Sequence, residues 1–265
     1  MPLVRAVPHP CPTYGRWGPP EVAESGTCTA RRGTRYAGRA VGGTGVGRPG
    51  YPGTVILGID TSLGTAVAAI ARDGEILADE QSANPLGHAE VIGDLLSRAV
   101  RVAPHPTHVA IGMGPGPFTG LRVGIATARA FALGRGIPVV PVPSHDGIAL
   151  GILLSDALTG TDTPRFAVVT DARRKEFAYS VFDGIDDDGL PVRITDAVLS
   201  PRDDLDARLA EAGAVRYDAT SVSAAMIALA AARALDAGRV LAGSEPLYLR
   251  SPDVVAAHAP KRVSA

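Results

Sequence analysis

The stretch Val55-Ile56-Leu57-Gly58-Ile59-Asp60-Thr61-Ser62-Leu63-Gly64-Thr65-Ala66-Val67-Ala68-Ala69-Ile70 sets the fold class. Two short apolar runs flank a polar, glycine-containing turn, which is the pattern of a β-hairpin. A third strand over Glu75–Gln81 follows the Asp73-Gly74 turn signal, so three antiparallel strands open the patterned region. The period then changes. From His88 to Val102 the apolar residues Val91, Ile92, Leu95, Leu96, Ala99 and Val102 recur at helical spacing, and Pro104 and Pro106 end the run.

Further along, Val109-Ala110-Ile111-Gly112 reads as a brief buried strand, and a loop over Gly112–Gly120 leads into a helix over Leu121–Leu133 that Gly134 and Gly136 stop. Ile137–Val142 reads as a strand whose Pro138 and Pro141 suit a short or edge position. Three strands, a helix, a strand, a helix and a strand predict one α/β lobe over 54–143, a mixed sheet with helices packed on it. A second lobe is expected over 144–245. It comprises a helix over Ser144–Ala157, strands over Phe166–Thr170 and Glu176–Phe182, an exposed loop at Asp186-Asp187-Asp188-Gly189 and an alanine-rich helix over Val222–Ala237. Residues 246–265 read as a closing segment and tail.

The first 53 of the 265 residues are different in kind: they hold 11 of the 31 glycines and eight of the 22 prolines, with seven arginines against Glu21 and Glu24. Residues 54–265 carry 19 basic and 25 acidic side chains, a net −6, which argues against a broad positive surface for nucleic acid. The head lacks the amphipathic spacing of a transit peptide. Two readings stand: an extension without regular structure, or a start placed too far upstream, with translation beginning near Val55. Both cysteines, Cys11 and Cys28, lie in the head, so no disulfide or thiolate metal site is expected beyond it, and a cytoplasmic location fits. The richest apolar stretch, Leu121–Leu133, is broken by Arg122, Thr127 and Arg129, so no membrane span is expected.

Chemistry-bearing residues are sparse. Asp60 ends an apolar strand in a hydroxyl-rich turn with Thr61 and Ser62, where a carboxylate can face a nucleotide's hydrated magnesium. An aspartate that only caps its own turn has the same sequence. Gly112–Gly120 is glycine-rich and opens a helix, as a phosphate cradle would, but Pro115 and Pro117 lack N–H donors. A rigid turn with Thr119 as helix cap fits as well. The helix that follows is apolar nearly all round, which suits either a central helix or a face kept for a partner. His88 has Ile92, not a second histidine, four residues on, and His105 and His108 have no ligating neighbours, so no metal site is expected. Asp171-Ala172-Arg173-Arg174-Lys175 concentrates charge after a buried strand, as a solvated turn or as contacts to a nucleotide or RNA phosphate.

Together, Ile56-Leu57-Gly58-Ile59-Asp60-Thr61-Ser62, Gly112-Met113-Gly114-Pro115-Gly116-Pro117-Phe118-Thr119-Gly120-Leu121-Arg122-Val123-Gly124, Asp171-Ala172-Arg173-Arg174 and Glu245-Pro246-Leu247-Tyr248-Leu249-Arg250 resemble the TsaB (YeaZ-like) family over Val55–Val254. The resemblance implies a two-lobed actin-like ATPase (ribonuclease H-like) fold, mixed sheets flanked by helices, with a degenerate nucleotide site. It implies a non-catalytic subunit of the tRNA N6-threonylcarbamoyladenosine complex. Such a subunit heterodimerises with a TsaD-like catalytic paralogue, is joined by a TsaE-like ATPase, and reaches tRNA through the complex.

On this reading no cofactor binds firmly, ATP or ADP enters only at the interface of the complex, and a weak nucleotide site would use Asp60, Thr61 and Ser62. The partner interface is expected at His88, Val91, Ile92, Leu95, Leu121, Gly124, Ile125 and Ala128, with a homodimer when the partner is absent. Complex or tRNA contacts are expected at Asp171, Arg173, Arg174 and Lys175. Two departures stand out: Pro117 where the family usually has Ser, and a region near 210–225 that is shorter than in relatives. A stand-alone ATPase or metallopeptidase of the same fold is the alternative, resting on Asp60. Direct tRNA binding by Arg31, Arg32, Arg35 and Arg39 of the head is a third.

Overall fold

In a computed structural model, residues 53–82 and 87–250 are described, so the expectations for the head and the tail lie outside the described residues. The hairpin read first is present as β1 (Val55–Asp60) and β2 (Thr65–Ala71), paired antiparallel with Asp60 opposite Ala66. β3 (Ile76–Ser82) adds to β2, α1 (His88–Val102) crosses over, and β4 (His108–Gly112) returns parallel to β1. After α2 (Phe118–Arg135), β5 (Val139–Val142) takes the edge. The strand order is β3-β2-β1-β4-β5. An edge position accommodates Pro141, which has no N–H to give to a ladder.

From α3 (Ser144–Thr159) the chain enters a second sheet of β6 (Phe166–Asp171), β7 (Glu176–Ile185), β8 (Pro191–Pro201) and β9 (Val215–Asp218), with α4 (Arg202–Glu211) before the last strand. Its order is β8-β7-β6-β9. An antiparallel partner, itself paired with a further strand, stands on one side of β6 and a parallel partner on the other, as around β1, and Asp171 stands opposite Phe177 with the same six-residue offset as Asp60 and Ala66. The β-β-β-α-β order therefore occurs twice.

Three elements of the second sheet escape the sequence reading. β8 alternates exposed and half-buried residues and carries two prolines at its ends, while α4 is mostly charged and buries only Leu205 and Leu209. β9 stands where only a remnant was expected, inside the stretch read as shortened.

α5 (Ala224–Asp236), capped by the Ser223 hydroxyl, follows the second sheet in sequence but packs on the first. Its alanines let it lie close against Ile56, Ala68, Ile70 and Ala110. The opposite face of that sheet, with Leu57, Ile59, Val67 and Ile111, is covered by α1 and α2 through Ile92, Leu95, Leu121, Ile125 and Ala128. The first sheet is thus buried on both faces, which explains why β1 and β2 read as continuous apolar runs.

Candidate functional site

At the end of β1 the Asp60 carboxylate accepts from the Ser62 N–H (2.7 Å), the Ser62 hydroxyl (2.6 Å) and the Ser144 hydroxyl (2.6 Å). Ser144, the first residue of α3, also accepts from the Gly114 N–H, so one carboxylate joins the hairpin turn, the glycine-rich loop and the third helix. A Cβ at Gly112 would overlap Asp60 Oδ2. Only 1% of Asp60 is exposed, and burial pushes its carboxyl above the usual range against the pull of these donors. Thr61 and Ser62 are equally buried, and the Thr61 hydroxyl donates to the Gly120 carbonyl (2.7 Å).

The expectation that Asp60, Thr61 and Ser62 present themselves to a nucleotide is therefore not met. Their polar atoms are spent inside the protein, as in the turn-capping alternative.

The partner-facing residues also need correcting. His88, Ile92, Leu95, Leu121, Gly124, Ile125 and Ala128 are buried within the chain and Val91 is half-buried, because the apolar stripes of α1 and α2 lie on their own sheet. A side chain at Gly124 would overlap Thr61. The outward faces carry small residues instead: Ala89, Gly93 and Ser97 on α1, Ala126 and Ala130 on α2, with Leu133 84% exposed. α2 begins after Pro117, in extended conformation, and no side chain caps it, so Thr119 is its second residue and not its cap.

A cleft of about 570 Å³ lies between the first turn of α2, the Asp171–Arg174 turn and the chain at Leu247–Arg250. The turn after β6 holds Asp171, Arg173 and Arg174 in the lining, while Lys175 is exposed outside it. Arg173, Arg174 and Lys175 all have positive φ (62°, 51° and 63°), a costly run for residues with a Cβ. It is tied by the Arg173 N–H to Asp171 Oδ1 (2.8 Å) and by Arg202 to the same oxygen (2.9 Å). These donors, the Arg173 amide first, hold the Asp171 carboxyl below its usual range. Across the cleft, Arg122 lies over the Phe118 and Tyr248 rings, donates to the Tyr248 hydroxyl (3.1 Å), and the two rings sit 4.6 Å apart. Arg250 pairs with Glu176 and donates to the Ala172 carbonyl (3.3 Å).

Phe118, Arg122, Tyr248 and Arg250 were absent from the sites read in the sequence. Their only signal was membership of the two quoted motifs, because nothing in linear spacing brings 118–122 to 247–250.

Behind the cleft, His145 on α3 is fully enclosed, bonded to Ser180 (2.9 Å) and to Thr170 (3.1 Å), and burial, aided by the Arg193 charge, lowers it to about 3. Among the described residues its neighbour Asp146 has an Oδ1 without a hydrogen-bond partner, 3.7 Å from Arg193 Nε. Burial pushes that carboxyl up to about 7, with Arg193 opposing. Among the described residues no three His, Cys, Asp or Glu side chains come together as a metal site, and no helix is long and apolar enough to cross a membrane.

Residues 87–233, more than half of the chain, match the family described as TsaD: tRNA N6-adenosine threonylcarbamoyltransferase. The chain belongs to this family. Within it the chain is TsaB-like: it is 30% identical over 151 residues to the Escherichia coli tRNA threonylcarbamoyladenosine biosynthesis protein TsaB, covering 55% of this chain and 62% of that protein. An uncharacterized protein of Mycobacterium tuberculosis is 35% identical over 216 residues, covering 76% of this chain and 93% of the relative. Among solved structures, YeaZ from Pseudomonas aeruginosa superposes with a TM-score of 0.57 at 20% identity, covering 74% of this chain and all of that one. A second Pseudomonas aeruginosa structure, described as similar to peptidase YeaZ, gives 0.59 at 21%. At such identity the likeness establishes the fold, two mixed sheets flanked by helices in the actin-like arrangement.

Proposed function

We propose that this chain serves tRNA N6-threonylcarbamoyladenosine synthesis as a non-catalytic subunit that pairs with a TsaD-like catalytic paralogue, assisted by a TsaE-like ATPase. The observation that carries the reading is the sealed Asp60: in a chain of this family, its carboxylate is consumed by Ser62 and Ser144 and structures the fold. The same fact speaks against the stand-alone ATPase or peptidase that Asp60 alone suggested.

The partner surface is the outward side of α1 and α2. Gly93, Ser97, Ala126 and Ala130 are exposed there, and such residues let another helix pair approach closely. Without the paralogue, the same surface pairs with a second copy. ATP or ADP enters at the interface of the complex, and the exposed cations of the Asp171–Lys175 turn face the assembly or its tRNA.

The test is light scattering of the chain mixed with a TsaD-like protein of the same organism, beside an Ala126→Glu/Ala130→Glu variant. A one-to-one complex that the variant fails to form is the expected result. Because both positions are exposed, the variant leaves folding intact. No complex, together with ATP turnover by this chain alone, would overturn the reading.

A further inference from the structure

We infer that the cavity between α3 and β8 binds an alkylammonium group, with its N–H donors on Asp146 and its carbon chain on the apolar side of the opening. The inference goes beyond the subunit role and does not depend on it.

This cavity, about 310 Å³, shares no lining residue with the cleft. Its walls are the first turn of α3, the start of β8, the turn after β7 and the chain after α5. Asp146 stands in the wall with only 7% of its side chain exposed, and its Oδ1 has no hydrogen-bond partner among the described residues. Arg193 Nε, at 3.7 Å, is beyond hydrogen-bond range, and the Nη1 of the same guanidinium turns to Asp196 at 3.4 Å. A buried carboxylate oxygen without a donor is costly, so a ligand that brings one is favoured there.

Charge decides the sign of that ligand. Arg193 is shared by Asp146 and Asp196, and Arg239 by Asp186 and Asp188, so four carboxylates meet two guanidinium groups. An anion would have to displace carboxylates from both arginines. Asp186 is spent, since it also accepts from the Asp188 and Leu190 N–H groups, which leaves Asp146 with the unused acceptor. A multidentate metal site is not built here, because among the described residues no three His, Cys, Asp or Glu side chains converge. An ammonium needs one carboxylate, and Asp196, 89% exposed, adds a second negative charge at the rim. Val192 and Leu241, half-buried, and Val240, 87% exposed, line the same cavity, so an alkyl chain laid across them removes apolar surface from water.

Binding is coupled to ionisation. Burial holds the Asp146 carboxyl up at about 7, and an ammonium that pairs with the carboxylate drives the proton off. The charged and titratable groups around it are Arg193 and Asp196 of β8, Asp186 of the turn after β7, Arg239 after α5 and, on α3 itself, His145, which burial lowers to about 3.

NMR of the full chain labelled with 13C-aspartate tests this, with n-butylamine as the probe. Tetramethylammonium, which has the charge but no N–H, is the control at equal ionic strength. Butylamine should shift the Asp146 Cγ resonance, identified by its loss in Asp146→Asn. At ten times its Kd it should lower the titration midpoint of that carboxyl by about one pH unit. Saturation transfer to the butyl protons should show affinity weakened about tenfold or more in Asp146→Asn, and about two- to fivefold in Asp196→Asn, an exposed position that leaves the fold intact. Lysine blocked at its α-amine and carboxyl identifies the source: equal competition points to a protein side chain, exclusion to a free amine, and both keep the site. No butylamine shift at Asp146, an equal effect from tetramethylammonium, a midpoint left in place, or affinity unchanged in Asp146→Asn would overturn the inference.

Discussion

Asp60 and Asp171 occupy matching places in the two sheets, each the last residue of a first hairpin strand, and each accepts from the backbone N–H two residues on, at 2.7 and 2.8 Å. Beyond that shared turn their surroundings diverge. The turn after β1 is closed in by α2 through Thr61 and by α3 through Ser144, so Asp60 is buried and its carboxyl is pushed up. The turn after β6 is open, the Asp171 side chain is 60% exposed, and its carboxyl is held down by an amide and an arginine. One local chemistry thus serves as an internal lock in one lobe and as a charged rim in the other. What differs is the tertiary cover.

Removing each carboxylate should separate the two turns most widely. Asp60→Ala strands two hydroxyls and an amide in the interior and should cost about 3–5 kcal/mol, whereas Asp171→Ala, at an exposed ion pair, should cost less than about 1 kcal/mol. Urea denaturation of the two variants measures both, and equal losses would contradict the contrast. Next in size is the cover itself: Gly124→Val drives a side chain into Thr61 and should cost about 2–3 kcal/mol, while Ala126→Val, two residues on at an exposed helical site, should stay within about 1 kcal/mol. Thermal melts of the pair decide it.

At Asp146 burial comes without a hydrogen-bond donor to Oδ1 among the described residues. Its carboxyl rises from an ordinary 3.8 to about 7 in the folded protein. Between those values the native state holds the extra proton, so this group's contribution is intact below pH 4 and is lost as pH climbs through 7. Asp146→Asn cannot ionise. Relative to the unsubstituted chain it should therefore gain about 1–3 kcal/mol between pH 4 and pH 8, read by denaturation at both ends. His145 has the opposite slope. Lowered to about 3, it stays neutral in the fold, and its contribution, present above pH 6.5, fades as pH falls toward 3. Imidazole NMR should show no protonation of His145 between pH 8 and pH 5.

The smallest effect is expected at the open turn. Arg173→Gly removes a Cβ from a residue at φ 62° and should stabilise by about 0.5–1 kcal/mol in urea, since the αL penalty exceeds the added chain entropy.

Much of the first sheet was legible because β1, β2 and β4 are apolar on both faces, α1 carries strong periodicity from Val91 to Val102, and the apolar run of Leu121–Leu133 is bounded by glycines. β8, α4 and β9 were not. Their exposed faces dilute both the alternation of a half-buried strand and the stripe of an amphipathic helix, leaving Leu205 and Leu209 as the only buried anchors of α4.

The candidate site divides in the same way. Local sequence determined the Asp60 and Asp171 turns and the glycine-rich loop, because those depend on contacts a few residues apart. Tertiary structure decided which of these the solvent reaches. It placed the apolar faces of α1 and α2 inward, closed Ser144 over Asp60, and carried Tyr248 to Phe118 and Arg122 and Arg250 to the Ala172–Arg173 turn. It also sent α5 from the end of the second sheet back to the first. These outcomes turn on which surfaces bury most apolar area when the lobes close, a property of the whole chain that no short stretch encodes.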